Sequence, residues 1–198
     1  MTKILFLLAP LFCLNAQVDL DYYLGDTSNY NQSIPTPESI IGHQIGELHV
    51  SHDKLSHYVQ EVSKHSDRVK LVNRGKTYEN RASWLLIITS ESNQLRLEKI
   101  RKNHLELSNS KNRSVDVTNM PVVIYKGYTV HGDEPSGTNA SLLLLYHLLA
   151  SDSEETKDLL QNTIILLDPS MNPDGHQRFS QWANNNKNKS LNPGSNDR

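Results

Sequence analysis

The chain has 198 residues and a formal net charge of −2, with 20 Lys and Arg set against 22 Asp and Glu. That length suffices for one folded domain, and the charge balance excludes the surplus of basic residues that holds a protein on nucleic acid. A single cysteine, Cys13, excludes an intramolecular disulfide framework.

Residues 1–16 differ from the rest, with Lys3 ahead of the apolar run Ile4 to Leu14 and the small residue Ala16 just before Gln17. This is the pattern of a secretory signal peptide, too short to span a bilayer, with cleavage expected after Ala16. Cys13 lies inside it, and the bulky Leu11-Phe12 pair before that cysteine argues against a lipid anchor. Export to a periplasm or beyond is expected, with no membrane span in the mature chain. Residues 17–36 are rich in Tyr, Asn, Ser and Asp without a helical or strand period, and read as a polar linker or loop.

From Ile40 the chain becomes regular. Leu55, Tyr58, Val59 and Val62 repeat at helical spacing after a cap at Ser51 or Asp53, which leaves His57 and His65 on or beside the wet side. Val69 to Val72 alternates like a strand, and Trp84 to Ile88 reads as a strand covered on both faces. Asn93 to Leu107 is expected to be a charged surface helix. Val122 to Tyr125, a helix over 137–150, a short helix over Glu154 to Leu160 and a strand over Thr163 to Leu167 complete an α/β alternation. Six leucines between Leu142 and Leu149 cover more than one stripe of the 137–150 helix, so it should be buried on most sides, with His147 as a hydrogen-bonded core histidine. After Phe179 the Asn- and Lys-rich run through Asn184 to Lys189 and Asn192-Pro193-Gly194 reads as loop or disorder.

The chemistry concentrates where strand gives way to helix, at His131-Gly132-Asp133-Glu134. An imidazole and a carboxylate three residues apart can grip one metal, and nitrogen and oxygen donors suit zinc, which a catalytic site holds with three protein ligands. Gly132 permits a close backbone approach and Pro135 suits a helix start. The same residues fit equally a pair of loop polars that cap the helix.

Two further segments, Gly75-Lys76-Thr77-Tyr78-Glu79-Asn80-Arg81 and Asn172-Pro173-Asp174-Gly175, read singly as ordinary turns. In order and separation, however, the three segments resemble the zinc carboxypeptidase family, with its Gly-x-(Thr/Ser)-x-Glu-x-Arg, His-x-x-Glu and Asn-Pro-Asp-Gly landmarks. The resemblance runs from about Pro37 to Arg198 and is closer to a secreted bacterial branch than to digestive enzymes. It implies an α/β domain over 37–198 with a mixed, largely parallel central sheet, helices on both faces, and an incomplete C-terminal end. It implies that His131 and Glu134 bind Zn2+, and that a third histidine ligand, a general-base glutamate and an Asn-Arg pair lie beyond Arg198. The implied activity is hydrolysis of the last peptide bond of a substrate with a free C-terminal carboxylate.

Arg178 and Arg198 are candidates for the family's substrate-binding arginine, each with the alternative of a solvated surface arginine. His176 is the in-chain candidate for a third ligand, although a histidine after a tight turn is usually exposed. The 198-residue chain alone is expected to bind zinc weakly, to lack peptidase activity and to expose an apolar sheet edge. Two other functions remain open: an inactive relative that binds peptides or cell-wall fragments, and a zinc deacylase of small acylated amino acids on the same fold.

Overall fold

A computed structural model describes residues 20–109 and 115–187. The expected signal peptide with Cys13, residues 17–19, Lys189, Asn192-Pro193-Gly194 and Arg198 lie outside the described residues. In chain order the elements are α1 (Leu20–Leu24), α2 (Pro37–Ile41), α3 (His52–Val62), β1 (Val69–Lys76), β2 (Ala82–Ile88), α4 (Glu91–Gln94), α5 (Leu97–Leu107), β3 (Val122–Gly127), α6 (Ser136–Ala150), α7 (Glu154–Asn162), β4 (Thr163–Asp168) and α8 (Pro173–Asn185). The strands form one mixed sheet in the order β1-β2-β4-β3. β1 pairs antiparallel with β2 and β2 antiparallel with β4, with Leu86 opposite Leu167. β3 runs parallel to β4, with Ile124 opposite Ile165, and is the parallel pairing among the described strands.

This pairing decides where the loops gather. Because β2 runs against β4, the β1–β2 turn at residues 77–81 lies at the same end of the sheet as the carboxyl ends of β3 and β4. β1 bends as it approaches that turn, through a register shift between Asn73 and Lys76. Gly75 there has a φ of 117°, a backbone state that glycine adopts without steric cost.

The core forms where α6 meets α3 and the sheet. Leu142, Leu145, Leu148 and Leu149 of α6 join Leu55, Tyr58, Val59 and Val62 of α3, Leu86 and Ile88 of β2, and Ile165 and Leu167 of β4. The 3.6-residue spacing on α3 and the leucine density of α6 therefore bury the surfaces they mark. Arg68 closes the carboxyl end of α6, donating to the Ser151 carbonyl at 2.7 Å and pairing with Asp152 at 2.9 Å. A cation there satisfies carbonyls that the helix leaves without partners and opposes its dipole.

Several expectations need correction. Of linker and loop, residues 25–36 are a loop held on the domain: Tyr30 and Ile34 are buried in the core, and Asn31 N–H donates to the Ala150 carbonyl at 2.7 Å. Two apolar residues in a polar background suffice once backbone bonds fix them to the end of α6. Tyr30 hydroxyl also meets His147 Nδ1, while Thr156 reaches Nε2 at 3.5 Å, so His147 is hydrogen-bonded as expected. β2 is covered unevenly, with Leu86 and Ile88 buried on one face and Leu85 and Ile87 half-buried on the other. The expected 93–107 helix breaks at Leu95-Arg96, where the Asn93 side chain turns inward to donate to the Gln161 carbonyl at 2.9 Å. The first part of the run after Phe179 is not loop, because α8 continues to Asn185. Asn184 accepts from His49 N–H at 3.0 Å and donates to the His49 carbonyl at 2.8 Å, which anchors that last turn. His57 and His65 are exposed as expected.

β3 is an edge strand, with Val122 61% and Tyr125 50% exposed. Among the described residues no helix is long and apolar enough to cross a membrane. The burial pattern separates two leucines sharply. Leu148→Ala is expected to cost about 2–5 kcal/mol through the cavity it leaves. Leu95→Ala, at an exposed position, should shift stability by less than about 0.5 kcal/mol. Urea unfolding followed by circular dichroism measures both.

Candidate metal centre

Beyond β3 and β4 the two chains stay paired for a few residues. Tyr128 N–H donates to the Asp168 carbonyl at 3.0 Å, Met171 N–H to the Tyr128 carbonyl at 2.8 Å, and Asn172 N–H to the Thr129 carbonyl at 3.2 Å. The loop carrying His131 and Glu134 springs from this extension. Its base is closed by Thr129, which is buried with a left-handed φ of 51°. Thr129 Oγ1 accepts from Thr138 N–H at 3.0 Å and lies 2.8 Å from Thr138 Oγ1, whose proton goes to the Pro169 carbonyl at 3.0 Å.

This bonding separates the two readings of the loop. The N-terminal turn of α6 takes its side-chain acceptor from Thr129, and no side chain at the cap position itself bonds the helix. His131 and Glu134 are therefore not the capping groups. Their side chains stand 71% and 67% exposed, with His131 Nδ1 3.3 Å from Glu134 Oε2. The Glu134 backbone is tied by its own N–H to the His131 carbonyl at 3.2 Å.

The two other landmarks converge on the same loop. Asn172 caps α8, accepting from Gly175 N–H at 3.0 Å, so Asn-Pro-Asp-Gly is the first turn of a helix rather than an isolated turn. Gly132 lies directly against the Gly175 backbone, and a methyl group on Gly132 would overlap the Gly175 Cα and carbonyl. Next to Gly175, Asp174 accepts from Thr77 Oγ1 at 2.7 Å, from Arg81 Nη1 at 2.8 Å and from Glu79 N–H at 3.3 Å. Burial pushes the Asp174 carboxyl up, but the bonds from Thr77, Arg81 and Glu79 together outweigh it and hold the group below its ordinary value. Sequence reasoning used these residues as landmarks and missed that they touch. Beside them, buried Asp168 receives Arg74 and the Tyr125 hydroxyl, the latter at 2.9 Å, a second ion pair at this end of the sheet.

His176 does not join His131 and Glu134, and it is not exposed either. It is fully buried, its Nε2–H donating to the Val50 carbonyl at 2.6 Å and its Nδ1 accepting from Ser170 at 3.2 Å. Both nitrogens are spent on structure. Arg178 is exposed on α8. Among the described residues no group of three His, Cys, Asp or Glu side chains is placed to hold a metal.

Polar loops thus gather at the carboxyl ends of adjacent parallel strands, where α/β proteins commonly bind their ligands. Residues 55–196 match the family model of the zinc carboxypeptidases, and the chain belongs to that family. It resembles in fold the crystal structure of thrombin activatable fibrinolysis inhibitor, with a TM-score of 0.52 at 14% identity over 86% of this chain and 36% of that one. Carboxypeptidase A from Helicoverpa armigera matches at 22% identity with a TM-score of 0.46, over 71% of this chain and 31% of that one. The chain thus spans roughly a third of the length of these solved structures. No curated protein matches it.

Gly132→Ala should distort the loop and cost at least about 1–3 kcal/mol, because backbone on both sides resists the added methyl. Gly137→Ala, whose methyl would meet nothing nearer than 3.3 Å, should cost far less; thermal unfolding of the two variants tests this contrast. His176 gives a pH signature. Desolvation lowers its pKa from 6.5 to about 4, so between those values the unfolded chain binds the proton and the folded one does not. Stability is complete above pH 6.5 and falls as the pH drops toward 4, by on the order of 3 kcal/mol in total. His176→Gln should flatten that slope in equilibrium unfolding measured from pH 7 to 4.

Proposed function

We propose that this chain is the front part of the catalytic domain of an exported metallocarboxypeptidase, with His131 and Glu134 as two of the protein ligands of a zinc ion. The observation that carries the proposal is the separation of 3.3 Å between His131 Nδ1 and Glu134 Oε2. Two donors about 2.0–2.1 Å from one tetrahedral zinc stand about 3.3–3.4 Å apart, so the pair already has the spacing of two ligands. Neither side chain is the cap of α6, which leaves both free for a metal. A third ligand and a general base from residues following Arg198 complete the proposed site.

Bound there, zinc would polarise a peptide carbonyl and bring the pKa of a water near 7. This chain's own contribution is to orient the two donors: Thr129 closes the loop, and the Gly132–Gly175 contact holds it from the side. The proposed substrate is a peptide with a free C-terminal carboxylate. A second reading, an inactive relative that binds peptides or cell-wall fragments, is favoured by the lack of a third donor among the described residues.

Zinc titration of the full-length protein, alongside an assay for release of the C-terminal residue from blocked dipeptides, separates the two. The expected result is one zinc per chain with activity, and loss of both in His131→Ala with unchanged circular dichroism, since α6 is held by its leucines. Zinc retained in His131→Ala would remove the assignment. Stoichiometric zinc without any residue released would favour the inactive relative.

A further inference from the structure

His131 and Glu134 are largely exposed, and among the described residues their side chains bond only to one another. Two such side chains do not fix their own geometry, and metal ligands depend on the groups behind them for orientation. One lateral support of this loop is the backbone contact between Gly132 and Gly175. What holds Gly175 in place therefore helps to hold the loop.

Gly175 is fixed on two sides. Asn172 Oδ1 accepts its N–H at 3.0 Å, and its neighbour Asp174 is bound to the 77–81 turn by three donors. That turn is itself closed, with Thr77 N–H donating to the Arg81 carbonyl at 2.8 Å, Arg81 N–H to Thr77 Oγ1 at 3.0 Å, and Arg81 paired with Glu79. It is continuous with β1 and β2, whose long antiparallel ladder makes it part of the rigid sheet. The start of α8 is thus braced against the sheet through one carboxylate, and the loop carrying the two donors rests on that brace.

We propose that Asp174 is a positioning residue for the metal loop, setting the spacing of His131 and Glu134 through the Gly175–Gly132 contact without touching metal or substrate. The inference rests on the zinc reading above, and it assigns a task to two segments that otherwise read as turns. Asp174→Asn is the sharpest variant. It keeps the size of the side chain but removes its charge, and it turns one of two acceptor atoms into a donor, facing either Thr77 and Arg81 or the Glu79 N–H.

In the full-length protein, Asp174→Asn should weaken zinc binding by about tenfold or more, the scale of outer-shell effects on metal affinity. It should also shift the visible absorption of the cobalt(II)-substituted protein, which reports ligand geometry and not global stability. Thr77→Val should move both readouts in the same direction, by less. Ile100→Ala, which removes a buried side chain of α5, serves as the control for destabilisation alone and should leave both unchanged.

A lower melting temperature in Asp174→Asn with unaltered zinc affinity and cobalt spectrum would overturn the positioning role and leave the zinc assignment standing. A parent protein that binds no zinc, or that keeps it in His131→Ala, would overturn both.

Discussion

The backbones of Gly132 and Gly175 press together with no side chain between them, and the arrangement around the candidate site depends on that contact. It is short-ranged and unforgiving, since atoms in van der Waals contact give way by only tenths of an ångström before the energy rises. It joins the loop after β3 to the first turn of α8. Through Asp174 the same turn is joined to the β1–β2 connection. Three segments far apart in sequence thereby become one rigid corner of the molecule.

Sheet topology explains why these segments meet. A strand antiparallel to β4 and a strand parallel to it bring opposite ends of their connections to the same edge. Short polar loops then collect beyond the carboxyl ends of β3 and β4, where α/β proteins commonly bind their ligands. The leucines of α6 supply the weight behind this corner. They bury the helix in one core with residues of α3 and the sheet, and Thr129 and Thr138 pin its first turn to the loop in front of it. The polar bonds place the corner, while apolar burial keeps it there.

Sequence patterns made the repetitive parts of this fold legible. Leu55, Tyr58, Val59 and Val62 announce one buried helical face, and the crowded leucines of α6 announce a helix enclosed on most sides. The parts that were misread are those fixed by single long-range contacts. Tyr30 and Ile34 show no period, yet backbone bonds to Ala150 seat them in the core. The end of α8 looks like an asparagine-rich loop, yet Asn184 bonds both backbone groups of His49. His176 looks like a surface residue, since no local pattern reveals that Val50 and Ser170 wait for its two nitrogens. The candidate site follows the same division. The spacing of His131 and Glu134 is local and visible, whereas the partners of Asp174 lie at Thr77, Glu79 and Arg81, and only a fold connects them.

α6 is anchored at both ends by different parts of the chain. Its carboxyl end is gripped by Arg68 and by the segment around Tyr30, and its amino end abuts the loop that bears His131 and Glu134. With 15 residues it is a rod roughly 22 Å long. A stiff rod clamped in this way passes a tilt or a slide from one end to the other instead of absorbing it. Residues 20–34, remote from the candidate ligands, thereby share in setting the attitude of the loop, and a substitution at Tyr30 would be felt mechanically at the opposite end of the domain.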